Sequence, residues 1–591
     1  MTPQKNNVVK ILIGLLVLLS VTLRFMSLPY SNRDMIIHNL RWYETLNQQG
    51  IDKALATNFA NYTPPYTYFI ALATLTHNFI PPLTAIKIIP ICFDLLGAFF
   101  IYKIVKLKYQ QGNLSHLAAA IYFAAPTILL NSAYWGQADS IYTSALLICI
   151  YFLMTERPFI AMLAFGAAFS FKAQAVFLIP FLGIMLFRKK VHWLYFGLIP
   201  LVYLLAIAPV VILGRPLIDA LLIYVKQSGS YPVLSMNAPN IYILFPNEWY
   251  SFIMPLGLVV AVLLILRWVY VTLQAATTLD HKYLILIALI STTLIPFLLP
   301  KMHDRYFYPS DVLSIALAFY WPSLWFVPIL YQLGSLGATS IFLVKADPAF
   351  IVIGFLFNTV ALAVLLRKQS EVENRAATNK TVSMALSWLA SILIPIIFFG
   401  FGLNMLVTPS FVRVQYALSP AARSNLTKSE RFHWASQSVD YLTNDRKTKF
   451  LENLKFENGA LVFENREITL LDNAKKMTQA ALALRNISLA FCFILGLLAW
   501  AGNWLPKLSQ GIYRGGWLAM GLAVTLGLAS IIGRANLNAY FQGADTILQL
   551  FPNSFWRDSL LFMLIILGGS GFLLTKIITV LQGRMQYNPA A

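Results

Sequence analysis

Apolar runs long enough to cross a bilayer recur along this chain, and many close on clustered basic residues. Leu83–Ile104 ends in Lys103, Lys106 and Lys108, and Phe159–Phe187 ends in Arg188, Lys189 and Lys190. A helix needs about 20 apolar residues to span the hydrocarbon, and in lipid the backbone must satisfy its own hydrogen bonds. Composition agrees: 58% of the 591 residues are hydrophobic and 12% charged, against about 45–50% and about 25% in a soluble domain. A soluble globular enzyme is excluded, and so is a disordered chain. The apolar content suffices for about sixteen segments of about 20 residues. The expected fold is an all-α polytopic membrane protein of that many segments, with external re-entrant or interfacial helices and a small external domain in the C-terminal half.

The formal net charge is +20, from 44 Lys+Arg against 24 Asp+Glu. In a soluble protein this would point to nucleic acid. Here the basic residues read as markers of cytoplasmic loops, and no nucleic-acid partner is expected. Cys92, Cys149 and Cys492 lie scattered in apolar runs, without the spacing of a disulfide framework or zinc site. Val8–Leu28 is expected to be a retained first span, because Arg24 and Phe25 stand where a cleavage site wants small residues.

Parity between basic ends orders the rest. Pro29–Pro82 lies outside, with Tyr66–Ile80 as an interfacial helix. Leu114–Leu130 goes out, Tyr134–Asp139 is an external turn, and Ser140–Met154 returns. Phe159–Phe187 begins and ends inside, as a hairpin of two short helices with Lys172 at its turn. Arg215–Asn247 is a long external loop, and Leu284–Leu299 goes out to Lys301–Pro309. The division expected is a membrane domain over 1–368, a polar cytoplasmic linker over 369–381, and a membrane domain over 382–591. The last carries an external soluble insert over about 408–482. Both termini come out cytoplasmic.

Ionisable residues are costly in hydrocarbon, roughly 2.5–3.5 kcal/mol each on insertion scales, so polar groups at the outer ends of spans are candidates for chemistry. Four clusters stand out. Arg33-Asp34 follows the first span; a carboxylate there can take a proton from a hydroxyl, or form a solvated loop pair. Asn61–Tyr66 holds Tyr62 and Tyr66 around two prolines, as interface anchors or an aromatic platform. In the turn Tyr134–Asp139, Trp135 can stack on a sugar while Gln137 and Asp139 bond hydroxyls; Asp139 can equally cap a helix. In Lys301–Pro309, the cations Lys301, His303 and Arg305 lie against the positive-inside trend. They suit a phosphate or a belt of lipid headgroups. Lys172, inside its apolar hairpin, also needs an anion.

The runs RDMIIHNLRWYETL, NYTPPYTY, NSAYWGQADSIYTS, SFKAQAVFLIP, YPVLSMNAPNIY and LPKMHDRYFYPSD, in that order over the first ~370 residues, resemble bacterial, mannosyltransferase-like members of the GT-C superfamily of integral-membrane glycosyltransferases. The resemblance implies a polyprenyl-phosphate-sugar donor and inverting transfer on the extracytoplasmic face of a bacterial inner or plasma membrane. It places Asp34 at the acidic position near the transfer centre, as catalytic base. Arg305, His303, Lys172 and Lys301 would then bind the donor phosphate, and Asp139, Gln137, Trp135, Tyr62 and Tyr66 the sugar or acceptor. The acceptor could be a glycan, a lipid or a protein. No cofactor is implied; Asp34 and Asp139 could share a divalent metal, which is not part of the expectation. The runs FENREITLLDNAKKM, LNAYFQGADTILQLFP and NSFWRDSLLF are similar to a small bacterial integral-membrane family of unknown function, with Thr469 and Gln542 standing where that family has histidines. Two alternatives remain: a lipid-linked sugar flippase or other transporter, and a non-catalytic envelope-assembly scaffold.

Overall fold

A computed structural model of the chain describes residues 3–228, 231–375, 378–418, 426–532 and 543–587. It is a multi-pass, all-α integral membrane protein. Among the described residues, eleven helices are long and apolar enough to cross a membrane. A twelfth span arises if Leu114–Ala124 and Pro126–Trp135, which meet at 48°, are taken together. The sequence arithmetic expected about sixteen. Part of the difference lies in Asp139–Met154, Pro158–Phe171 and Ala173–Phe187, apolar helices too short to cross alone. Two compact units divide between Arg375 and Ala376.

Unit 1 opens with α1 (Pro3–Ser27), α2 (Arg41–Gln49) and α3 (Pro64–Thr74). It continues through α4 (Pro82–Lys106), α5 (Leu114–Ala124), α6 (Pro126–Leu129), α7 (Asp139–Met154) and α8 (Pro158–Phe171). α3, α4, α6 and α8 begin with proline in the first turn, where its missing N–H costs nothing. After α9 (Ile179–Phe187), α10 (Leu198–Ile212) and α11 (Tyr250–Gln274) comes α12 (His281–Leu298). Every residue from Tyr283 to Phe297 of α12 is buried; a helix apolar all round belongs in an interior. The unit closes with α13 (Tyr308–Tyr320), α14 (Val327–Val344) and α15 (Ala349–Val372). Thus the first four residues of the expected linker are the end of a helix.

Three interruptions shape the end of unit 1 that holds the candidate residues. π-Helical turns replace α-helix over Met35–Leu40 and Leu130–Trp135, a geometry common at functional sites. At Lys172 the backbone is extended before a 3₁₀ turn over Ala173–Leu178. The segment between α10 and α11 carries β1 (Ser235–Met236), which pairs in parallel with β2 (Met302–His303), just after α12. The Lys301 and Asp304 amides donate to the Leu234 and Met236 carbonyls at 2.8 and 3.0 Å. This tie fixes the segment carrying Arg305.

Unit 2 comprises α16 (Lys380–Leu406), α17 (Pro409–Leu418), α18 (Lys428–Thr443), α19 (Asn465–Ala501), α20 (Leu505–Ile532), α21 (Asp545–Leu550) and α22 (Asn553–Tyr587). α16 and α20 approach closely: the Ser391 hydroxyl donates to the Gly511 carbonyl at 2.9 Å, and a Cβ on Gly511 would stand 2.2 Å from the Ser387 carbonyl oxygen. Small residues permit such packing in lipid. Outside this bundle Tyr441, Leu451, Phe463 and Leu471 form a core with Ile547, Leu550 and Phe551. The expected insert over 408–482 therefore takes in α21 as well, and its last part is the first half of the continuous α19. Gln542 and the start of the run LNAYFQGADTILQLFP, residues 537–542, lie outside the described residues.

Candidate active site

The segment that follows α1 is held by amides. Asn32 accepts from the Met35 N–H at 3.0 Å and donates to the Trp135 carbonyl at 3.1 Å; Asn39 donates to the Gly136 carbonyl at 3.0 Å. Lys87 donates to the carbonyls of Ser27 and Tyr30 at 2.7 and 2.6 Å, which closes the C-terminus of α1. Gly136 turns the chain at φ +73°, and a Cβ there would meet Met35 Cε at 1.9 Å. Only glycine fits both the backbone and the space.

These ties bring Asp34 against the Trp135–Asp139 turn, about a hundred residues away. Asp34 Oδ2 accepts from Trp135 Nε1 at 3.2 Å and Gln137 Nε2 at 3.4 Å, and Arg305 Nη1 lies 3.8 Å away. The Asp34 side chain is 26% exposed, whereas that of Asp139 is wholly buried. Asp139 pairs with Lys172, accepts from Asn131 Nδ2 at 2.9 Å, and lies 3.5 Å from Arg305 Nε. Burial is the largest influence and works against the Arg305 charge, but Asp139, Tyr62, Asp304 and Tyr306 together outweigh it, and the guanidinium is held more basic than usual. It also lies over the Trp135 ring, 5.2 Å from the centroid.

Behind this ion cluster stands an aromatic wall. Lys172 Nζ is 5.9 Å from the Tyr62 ring centroid, and Tyr62 packs on Tyr66 at 4.9 Å and on Trp42 at 5.6 Å. The sequence candidates Asp34, Trp135, Gln137, Asp139, Lys172 and Arg305, with Tyr62 and Tyr66, thus share one locality. His303 pairs with Asp304, Nδ1 to Oδ1 at 2.6 Å, while Lys301 occupies a left-handed backbone position, φ +62°.

Sequence reasoning missed Asn32, Asn39 and Asn131, which carry no periodic signal. It also missed the buried pair of Arg24 with Asp94 at 2.8 Å. Ser132 donates to the same Asp94 oxygen at 2.5 Å, so this pair braces the π-helical turn that ends in Trp135. Among the described residues no group of three His, Cys, Asp or Glu side chains could hold a metal.

No family model matches the chain, and no curated protein matches it in sequence.

Proposed function

We propose that unit 1 is an inverting membrane glycosyltransferase that moves a hexose from a polyprenyl-phosphate donor to an acceptor hydroxyl on the extracytoplasmic face. One observation carries the reading: a partly exposed carboxylate, Asp34, lies 3.8 Å from a guanidinium whose other side is fixed by a buried carboxylate. Such a pair offers a proton acceptor beside an anion grip.

In the proposed reaction the acceptor O–H gives its proton to Asp34, and its oxygen bonds to the anomeric carbon. The bond from that carbon to the phosphate oxygen breaks, and its electron pair leaves with the polyprenyl phosphate. Arg305 and Lys172 stabilise the charge growing on that oxygen; losing one such contact costs about 2.7–4 kcal/mol of barrier. Asp139 keeps the two cations aimed and prevents their mutual repulsion. The Trp135 and Gln137 N–H groups orient Asp34, and the Tyr62 and Tyr66 wall can pack against a sugar ring.

The bent pair Leu114–Trp135 and the short apolar helices also favour a second reading, a lipid-linked sugar transporter, since transporters use interrupted helices at their binding sites. A transporter needs no base. The test incubates purified protein with synthetic radiolabelled polyprenyl-phosphate hexoses and a membrane lipid extract. Transfer of label by the wild type and its loss in Asp34→Asn support the transferase. Equal transfer by the variant removes Asp34 as base, and movement of donor across vesicles without transfer favours the transporter.

A further inference from the structure

The end of α12 remote from Arg305 carries a second concentration of positive charge. α12 is 18 residues long, about 27 Å, so its N-terminus and the Arg305 segment are one membrane thickness apart. Lys282, in its first turn, places Nζ 5.5 Å from the Trp321 ring centroid; Lys368, on α15, places Nζ 4.5 Å from the same centroid. The two ammonium groups are therefore no more than 10 Å apart. Two like charges gathered on one ring repel each other unless an anion joins them.

The nearby carboxylates do not supply it in full. Glu371 is shared between Lys368 at 3.3 Å and Arg367 at 3.0 Å, and Asp280 accepts from the Tyr283 N–H at 2.9 Å as a helix cap. Lys282 makes no ion pair among the described residues. Lys108 adds a further cation: its Nζ donates to the carbonyls of Phe319 and Tyr320 at 2.9 and 3.1 Å. It closes the end of α13 just before Trp321. Among the described residues the buried Trp321 Nε1–H has no hydrogen-bond acceptor. Trp325, four residues on, is 64% exposed, as an aromatic anchor at a membrane interface is.

We infer that Lys282, Lys368 and Trp321 form a binding site for the phosphate of an anionic phospholipid, at the membrane face opposite Asp34. Basic pockets between helices on the cytoplasmic side bind such headgroups. Here the lysines grip the phosphate, and the Trp321 and Trp325 rings lie beside the glycerol and upper acyl chains. The site is independent of the glycosyltransferase reading, because it uses none of its residues.

The experiment is native mass spectrometry of the full chain released from micelles containing phosphatidylglycerol and phosphatidylcholine, with titration of each lipid. The wild type is expected to retain phosphatidylglycerol in preference. Lys282→Gln with Lys368→Gln is expected to weaken that binding about thirty-fold, and the exposed single variant Lys282→Gln about five-fold. Lys190→Gln, which removes a different surface lysine, controls for total charge and leaves binding as in the wild type. Undiminished phosphatidylglycerol binding by the double variant overturns the site. Displacement of the lipid by equimolar inorganic phosphate overturns the lipid assignment and leaves a free-anion site.

Discussion

Both units bury charged side chains, but they spend them differently. In unit 2 the buried charges hold main chain. Glu467 accepts from the Thr546 and Ile547 amides at 2.8 and 3.1 Å, which stitches α19 to α21, and Lys475 donates to the Arg446 carbonyl at 2.5 Å. Its long helices run unbroken, 37 residues in α19 and 35 in α22. In unit 1 Lys87 also holds main chain, but other buried charges face one another: Asp139 with Lys172 and Arg305, and Arg24 with Asp94. A carboxylate bonded to fixed amides is committed to holding main chain. One that faces side-chain cations from several segments forms a cluster whose outer edge, at Asp34, stays open to a ligand. Under the proposed function, the chemistry belongs to the cluster of unit 1.

The sharpest way to break this contrast is to remove the centre of the ion cluster. Asp139→Asn leaves Lys172 and Arg305 together without their shared counter-charge. Breaking a buried pair costs about 3–5 kcal/mol, so thermal unfolding in detergent should fall by many degrees. A stability equal to wild type would show that the cluster is hydrated and loosely held. Next in size, Gly136→Ala forces a side chain into the left-handed region and into Met35. Strain of that kind costs about 1–3 kcal/mol. The expected outcome is faster hydrogen exchange in both 30–40 and 131–137, with α12 unchanged. Faster exchange in only one of these segments would separate loops that the asparagine ties join.

On the unit 2 side, Glu467→Ala removes three charge-assisted hydrogen bonds, two from α21 and one from the Glu464 N–H at the start of α19. Such bonds are worth about 1.5–3 kcal/mol each to a charged group, less what water recovers. The expected result is proteolytic opening of the segment around α21 with sugar transfer by unit 1 unaltered. Loss of transfer would give unit 2 a part in the reaction. The smallest effect is expected from Lys190→Gln, whose exposed pair with Glu156 spans 3.3 Å. Surface pairs contribute about 0–1 kcal/mol, and a melting temperature within a degree or two of wild type checks it.

Hydropathy made the all-α membrane fold legible, because a twenty-residue apolar run has few other uses. It did not give the span count. Leu114–Leu130 reads as one segment, yet Ala125 takes an extended backbone before Pro126 and the helix bends there. The break at Lys172 was visible, because a lysine within an apolar hairpin demands a partner. That partner, Asp139, was singled out for hydroxyl binding, since spacing along a chain does not show which side chains meet. Asp94 was invisible for the same reason: it sits inside the apolar run Leu83–Ile104, 70 residues from Arg24. The asparagines at 32 and 39 act on distant backbone and Asn131 acts on the Asp139 carboxylate, and none of the three leaves a pattern in sequence.

The central claim is that Arg305 binds the donor phosphate while Asp34 acts on the acceptor. Its most direct test measures affinity for farnesyl phosphate and turnover in the same preparations of wild type, Asp34→Asn and Arg305→Gln. The account predicts that Asp34→Asn keeps affinity within about two-fold and loses about 10²–10⁴ in transfer, the scale of a lost general base. It predicts that Arg305→Gln loses affinity. Wild-type turnover in Asp34→Asn, or unchanged affinity in Arg305→Gln, would contradict it.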